Sequence, residues 1–276
     1  MMKLKVKMIG VDLDGTLLTT DKRLLPHTAE VLSQAASQGI VVLPITGRPL
    51  CGVPEELLAI PGIRYVISAN GGRIVDRKEK RILHEDLVPV DTAREILKIM
   101  GDYDAMREVY FDGTGYAPES CLAQIEKYIS YPPMANYVVS TRMPVGDVME
   151  KFEQEKRGVD KLQGLFALPG ERDQALKRIL EIPDIEVTSV LENNIEINAA
   201  GVNKGRAVCL LADMLGIPVK EVLVFGDAVN DIQMVKMAGI GAAVANSIPE
   251  VIEAADYVTE SNDEEGVARF IEKYVL

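Results

Sequence analysis

The chain has 276 residues, 47% of them hydrophobic and 26% charged, with a formal net charge of −12. That length anticipates about two domains, and the composition is that of a soluble globular protein with a full core of its own. So acidic a balance argues against a broad nucleic-acid surface, which needs clustered Lys and Arg, and no stretch approaches the ~20 apolar residues of a membrane span. Cys51, Cys121 and Cys209 are sparse, odd in number and without metal-ligand spacing, as expected of free thiols in a reducing compartment. Lysines alternate with apolar residues at the amino terminus, a strand pattern and not a secretory signal. A cytoplasmic protein is therefore expected, with neither membrane nor nucleic acid as a partner.

Apolar runs rich in Val and Ile predict buried strands at 6–11, 40–45, 65–68 and 222–225, with weaker ones at 240–244 and 257–258. Val31, Leu32, Ala35 and Ala36 share a helical face that stops at Gly39. Ala207, Val208, Leu211 and Leu215 share another, with Asn203 as N-cap and Gly216 beyond the end. The alternation predicts an α/β fold, a Rossmann-like and mostly parallel sheet covered on both faces. Between residues 86 and 195 the pattern changes: helices are predicted at 92–100 and 173–180, strands at 109–111, 137–141, 162–168 and 185–191, and Pro132, Pro133 and Pro144 interrupt it. The expectation is an α+β domain at 86–195 inserted into a discontinuous core made of 1–85 and 196–276.

Polar residues follow each main strand. Asp12-Leu13-Asp14-Gly15-Thr16 follows the first, Thr46-Gly47-Arg48 the second, Asn70-Gly71-Gly72 the third and Gly226-Asp227-Ala228-Val229-Asn230-Asp231 the fourth. Singly these are ordinary: an acidic turn, a helix cap, a tight turn, a solvated loop. Together they place polar groups at four strand ends, where open α/β sheets bind ligands. Asp12 and Asp14 lean toward one ligand if the chain turns at Gly15, and Asp227 arrives from another strand. Two carboxylates, a substrate phosphate and waters make the usual magnesium set, and without a cation such carboxylates repel. Lys204 at a helix start opposes the helix dipole, so it is either a surface lysine or a partner for phosphate. Thr46 and Gly47 offer a hydroxyl and an amide, and a helix start there suits an anion. The chain has no Walker-type phosphate loop and only part of a dinucleotide fingerprint at Gly239-Ile240-Gly241. Asp112-Gly113-Thr114 echoes Asp14-Gly15-Thr16 but reads as a hairpin turn, and His27 and His84 lack a ligand pattern.

These segments resemble the motifs of the haloacid dehalogenase-like superfamily, and within it the Cof-type phosphatases, nearest to its sugar-phosphate phosphatases. The likeness runs through Asp12 to Leu18, Thr46 to Pro49, Asn203-Lys204-Gly205, Gly226-Asp227 with Asn230-Asp231, Ala255 to Thr259 and Asp263 to Val267. Ala228 stands where relatives often carry a polar residue. The resemblance implies Mg2+-dependent hydrolysis of small phosphate monoesters through an aspartyl phosphate. It makes Asp12 the nucleophile and a metal ligand, Asp14 the general acid and base whose carbonyl also meets the metal, and Asp227 the remaining protein ligand. Thr46, Gly47 and Lys204 would bind phosphate, Asn230 phosphate or substrate, and Asn70 would position the loop or the phosphate. Asp231 would support the metal shell or Lys204. The insertion would be a large cap that closes over the site and selects substrate, with Arg107, Tyr110, Tyr116, Tyr137 and Arg142 as candidates. Sugar phosphates lead as substrates. The alternatives are phosphorylated cofactors (flavin mononucleotide, pyridoxal phosphate), a sugar phosphomutase, and a non-catalytic phosphometabolite sensor.

Overall fold

The computed structural model describes residues 3–189 and 191–276. They divide into two compact units. The first runs to Arg48 and resumes at Val53–His84 and Asn203–Leu276, and the second holds Pro49–Gly52 and Glu85–Val202. The chain enters with β1 (Met8–Val11), α1 (Pro26–Ser37), β2 (Val41–Pro44), α2 (Glu55–Leu58), β3 (Tyr65–Ser68), β4 (Arg73–Asp76) and β5 (Arg81–Glu85). It continues through α3 (Val90–Gly101), β6 (Ala105–Phe111), β7 (Thr114–Pro118), α4 (Glu119–Leu122), α5 (Pro132–Thr141), β8 (Met143–Val145), α6 (Val148–Glu155), β9 (Lys161–Phe166), α7 (Pro169–Ile179), β10 (Ile185–Thr188) and β11 (Asn194–Ala199). It ends with α8 (Lys204–Met214), β12 (Val222–Gly226), α9 (Ile232–Met237), β13 (Ile240–Ala243), α10 (Pro249–Ala254), β14 (Tyr257–Val258) and α11 (Gly266–Tyr274).

In the first unit five strands pair in the order β14-β13-β12-β1-β2, all parallel. β1 and β12 are apolar throughout because helices cover both faces. On one face Met8 and Val224 meet Val208 and Leu211 of α8. Phe225 packs edge-on against Phe270 of α11, with ring centroids 5.3 Å apart. Beyond β2, Ile45 bridges to Ile67 in parallel, and β3 and β4 form an antiparallel hairpin. The carboxyl ends of β1, β2, β3 and β12 thus open on one edge of the unit.

The second unit is a six-stranded sheet in the order β10-β11-β9-β6-β7-β8, antiparallel except where β7 meets β8. Val109, Phe111, Leu162, Phe166, Ile195 and Ile197 pack on α3, α6 and α7 through Ile96, Leu97, Phe152 and Ile179. The α/β class with an α+β insertion therefore stands. This unit extends to Val202, past residue 195, because β11 zips onto both β9 and β10. Asp112 (φ 52°) and Gly113 (φ 74°) make the two-residue turn of the β6–β7 hairpin, as the Asp-Gly pair anticipates.

One element differs in kind. Residues 137–141, expected as a strand from their β-branched run, are the last turns of α5. Pro132 occupies the first helical position, where its missing N–H costs nothing, and Ala135 and Val138 are buried three residues apart on one face. Tertiary burial there outweighs a propensity worth only tenths of a kcal/mol per residue. The strand expected at 185–191 ends at Thr188, and Val190 lies outside the described residues. Among the described residues no helix is long and apolar enough to cross a membrane.

α8 begins as the sequence anticipates: the Asn203 side chain accepts a hydrogen bond from Arg206 N at 2.8 Å. Its second residue, Gly205, lies against α9 so closely that a Cβ would stand 2.6 Å from Gln233 O and 2.9 Å from Met234 N. Backbone on both sides leaves no flexible group to yield. Gly205→Ala is expected to force α8 off α9, lowering stability by about 1–3 kcal/mol, the usual cost of overpacking. It should also displace Lys204, so that activity falls more than the folded fraction does, checked by comparing denaturation midpoints with kcat.

Candidate active site

Asp12 follows β1 directly, its N–H donating to Phe225 O at 3.0 Å. The residue is 5% exposed. Lys204, 1% exposed at the first position of α8, places Nζ 2.6 Å from Asp12 Oδ1 and 2.7 Å from Asp231 Oδ1. The other Asp231 oxygen accepts the amides of Asp227 and Ala228, each at 3.0 Å. Asp231 thus has a protein donor on each oxygen and fixes both Lys204 and the loop carrying Asp227. Asp227 accepts the Thr16 hydroxyl at 2.6 Å. Gly15, at φ 90°, lies beside it, and a side chain there would collide with the Asp227 carboxylate. The glycine of the first motif is therefore needed twice, for its backbone angle and for its missing Cβ.

Carboxylate oxygens of Asp12, Asp227 and Asp231 lie within 4.8 Å of one another. Their proton affinities record the crowding. Burial raises the Asp12 carboxyl, Lys204 pulls it back, and Asp231 and Asp227 push it up again, leaving it well above its ordinary value. Burial and then the Asp231 charge carry Asp227 to about 6. Burial alone would lower the Lys204 ammonium, but Asp12 and Asp231 hold it above the ordinary lysine value.

Asp14 is turned elsewhere. Arg48 grips it with a fork, Nε to Oδ2 at 2.6 Å and Nη2 to Oδ1 at 2.7 Å, and Lys22 Nζ reaches Oδ1 at 2.7 Å. Burial would raise this carboxyl, but the bonds and charges of Arg48, then Lys22, hold it well below the usual carboxylate range. The third acid of the cluster is therefore Asp231, while the Asp14 side chain faces two cations.

The remaining residues form a connected chain. Thr46 Oγ1 accepts Arg48 N at 3.1 Å, and Thr46 O accepts Asn70 N at 3.0 Å. Asn230 Nδ2 donates to Asn70 Oδ1 at 3.1 Å, and Asn70 is held at φ 58°. Gly47 sits between Thr46 and Arg48 in a bend, not at a helix start, and the next helical turn begins only at Leu50. Pro49 accounts for this, since the residue before a proline is biased away from helix. Arg48, Thr16 and Lys22 are the site residues that sequence reasoning passed over. Arg48 lay inside a recognised motif, whereas Lys22 lies in a charged turn with no local signal.

In the second unit the five candidates separate. Tyr110 donates to Glu108, Arg142 Nε donates to Glu108 Oε2 at 2.7 Å, and Arg142 Nη1 approaches Tyr137 Oη at 3.4 Å. Arg107 instead bonds Leu97 O at 3.3 Å, and Tyr116 packs edge-on to Phe111. Glu108, buried and with no partner for Oε1 among the described residues, joins the first group without having been anticipated.

The strand ends of the parallel α/β sheet thus gather the carboxylates of Asp12, Asp227 and Asp231 near one buried lysine, at the edge where open α/β sheets bind ligands. Haloacid dehalogenase-like hydrolases match residues 9–271, and the chain belongs to that family. It is a phosphatase of the family by its relatives as well. The 5-amino-6-(5-phospho-D-ribitylamino)uracil phosphatase YcsE of Bacillus subtilis is 28% identical over 98% of this chain and 96% of its own. A haloacid dehalogenase-like hydrolase structure from B. subtilis superposes with TM-score 0.85 at 30% identity, covering 98% of this chain and 100% of that one. A sugar phosphatase of haloacid dehalogenase subclass IIB shares the fold at TM-score 0.82 and 22% identity, covering 98% and 99% of the two chains.

The raised Asp227 carboxyl fixes a pH dependence. A folded value of about 6 against 3.8 in an unfolded chain means that ionised Asp227 costs the fold stability above pH 6. That cost is relieved as pH falls and the folded state takes up the proton first. In chelator, Asp227→Asn is expected to stabilise the protein at pH 7.5 and to do so about half as much at pH 5, measured as the shift in Tm.

Proposed function

We propose that the protein hydrolyses small phosphate monoesters with Mg2+ as its cofactor and Asp12 as the nucleophile. The observation that carries this reading is the cluster of Asp12, Asp227 and Asp231, in which Lys204 bonds Asp12 and Asp231. Hard oxygen donors that repel one another suit a divalent magnesium ion. Asp12 and Asp227 would hold it, because Asp231 already has both oxygens occupied. Bound there, the ion would keep the carboxylates ionised and neutralise charge on the transferred group.

Lys204 fixes the Asp12 carboxylate in one orientation, so that a phosphoryl group brought to this strand end meets a placed nucleophile. Attack breaks the ester bond and leaves the phosphoryl group on Asp12, and Asp14 supplies the proton to the departing oxygen. Asp14, then ionised, takes a proton from the water that attacks phosphorus and releases Asp12. Dividing the displacement in two is the gain of covalent catalysis. Thr46, Gly47 and Lys204 receive the phosphate, and Asn70 and Asn230 steady the loops beside it. Arg48 and Lys22 hold Asp14 as the carboxylate, the form required by the second step. A dianionic phosphate near Arg48 weakens that hold and favours the acid form required by the first.

Sugar or polyol phosphates are the substrates proposed, and 5-amino-6-(5-phospho-D-ribitylamino)uracil, the phosphate named for YcsE, should be assayed beside sugar phosphates, flavin mononucleotide and pyridoxal phosphate. Phosphate release ranked by kcat/KM decides among them. Asp12→Asn is expected to abolish release from every substrate. Asp14→Asn should lower kcat by ~10²–10⁴, the worth of a positioned acid and base. Undiminished turnover in Asp12→Asn would falsify the covalent step, and conversion of a sugar phosphate to its isomer in place of phosphate release would favour a mutase.

A further inference from the structure

We infer that Lys22 is a positioning residue for Asp14, and that by filling Oδ1 it leaves Oδ2 as the oxygen that carries the proton. The inference rests on the proposed acid–base role of Asp14 and adds the atom and the group that selects it. A carboxylate has about four lone-pair sites, two on each oxygen. Asp14 Oδ1 accepts both Arg48 Nη2 and Lys22 Nζ, whereas Oδ2 accepts, among the described residues, Arg48 Nε alone. The one remaining site is therefore on Oδ2. Arg48 by itself would leave one site on each oxygen, and Lys22 breaks that symmetry.

The turn that carries Lys22 is held in place for this. Lys22 adopts φ 63°, a left-handed conformation that a lysine enters only when its surroundings impose it. Lys22 N donates to Thr19 O at 2.8 Å and Thr19 N to Arg23 O at 3.0 Å. Asp263 takes both the amide and the hydroxyl of Thr20 at 2.8 Å. Asn262 Nδ2 donates to Leu18 O at 3.0 Å, its own amide donates to Asn246 Oδ1 at 2.9 Å, and Asn246 Nδ2 donates to Gly15 O at 2.7 Å. The loop from Gly15 to Thr20 is thus laced to the carboxyl-terminal segment of the same unit. The Lys22 side chain is only 17% exposed and points inward.

The steps then balance as follows. In the first, the Oδ2–H bond breaks and its proton goes to the ester oxygen, while phosphorus loses that oxygen and bonds Asp12. In the second, water gives a proton to Oδ2 as its oxygen bonds phosphorus, and the bond from phosphorus to Asp12 breaks with its electron pair returning to the carboxylate. Lys22 itself exchanges no proton.

Lys22→Met, Lys22→Arg, Asp263→Ala, the Lys22→Met/Asp263→Ala double variant and Asp12→Asn test this with two substrates. One is an alkyl phosphate, whose leaving oxygen needs a proton, and the other an aryl phosphate such as p-nitrophenyl phosphate, whose leaving oxygen does not. Lys22→Met is expected to lower kcat on the alkyl ester by ~10–10², the scale of a small misplacement, with KM little changed and the aryl ester markedly less affected. Lys22→Arg should restore most of the loss. Asp263→Ala should give a smaller loss of the same pattern, and the double variant should fall no further than Lys22→Met, because the aspartate acts through the lysine. Equal losses on both esters with a lowered Tm would show Lys22 to be merely structural and overturn the inference. Unchanged kcat in Lys22→Met with Asp12→Asn inactive would overturn it while leaving the proposed function standing. Activity surviving in Asp12→Asn would overturn both.

Discussion

The structure turns on one buried ammonium. Lys204 lies between Asp12 and Asp231 with almost no access to solvent, and three buried ions are costly to desolvate. A lysine at the start of a helix also faces the positive end of its dipole. Neither cost is met by Lys204 alone. Asp231 is held by two backbone amides of its own loop, α8 is capped by Asn203, and Gly205 lets α8 and α9 approach to backbone contact. Each surrounding feature places one charge of the triad, so the ion pair and the packing of α8 on α9 form a single arrangement.

This explains which parts of the site were legible in the sequence. Asp12, Thr46, Asn70 and Asp227 all follow apolar runs directly, and a parallel sheet sends such positions to the same edge. Asn203 and Gly205 lie where a helix begins, and a cap and a small residue there can be read locally. The strands at 65–68 and 257–258 were read to the residue, since each is a short apolar run bounded by polar or small residues. What escaped depends on contacts distant in sequence. Lys22 sits in the turn Thr20-Asp21-Lys22-Arg23, indistinguishable by composition from a solvated loop, and only its ion pair with Asp14 and the lacing by Asp263 reveal it. Glu108 lies just before the run read as a strand at 109–111, and only its ion pair with Arg142, which arrives from beyond α5, reveals it. Residues 137–141 were misread because a β-branched run carries little information against two preceding prolines and a buried helical face.

The charges fall into two groups of opposite excess. Asp12, Asp227 and Asp231 set three carboxylates against the one ammonium of Lys204, an excess of two negative charges. Asp14 faces both Arg48 and Lys22, an excess of one positive charge. The first group matches the charge of a divalent cation, and the elevated Asp227 carboxyl is the sign that the protein's own cations do not balance it. The second group has a cation in surplus for an arriving phosphate. In the proposed mechanism, with Mg2+ held by the first group, a dianionic ester would meet a neutralised nucleophile on one side and a net positive acid–base group on the other. Lining a pocket with lysines would attract phosphate equally well. It would not supply the second requirement of the proposed mechanism, an acidic group whose uncompensated charge draws a divalent cation to the buried carboxylate that takes up the phosphoryl group.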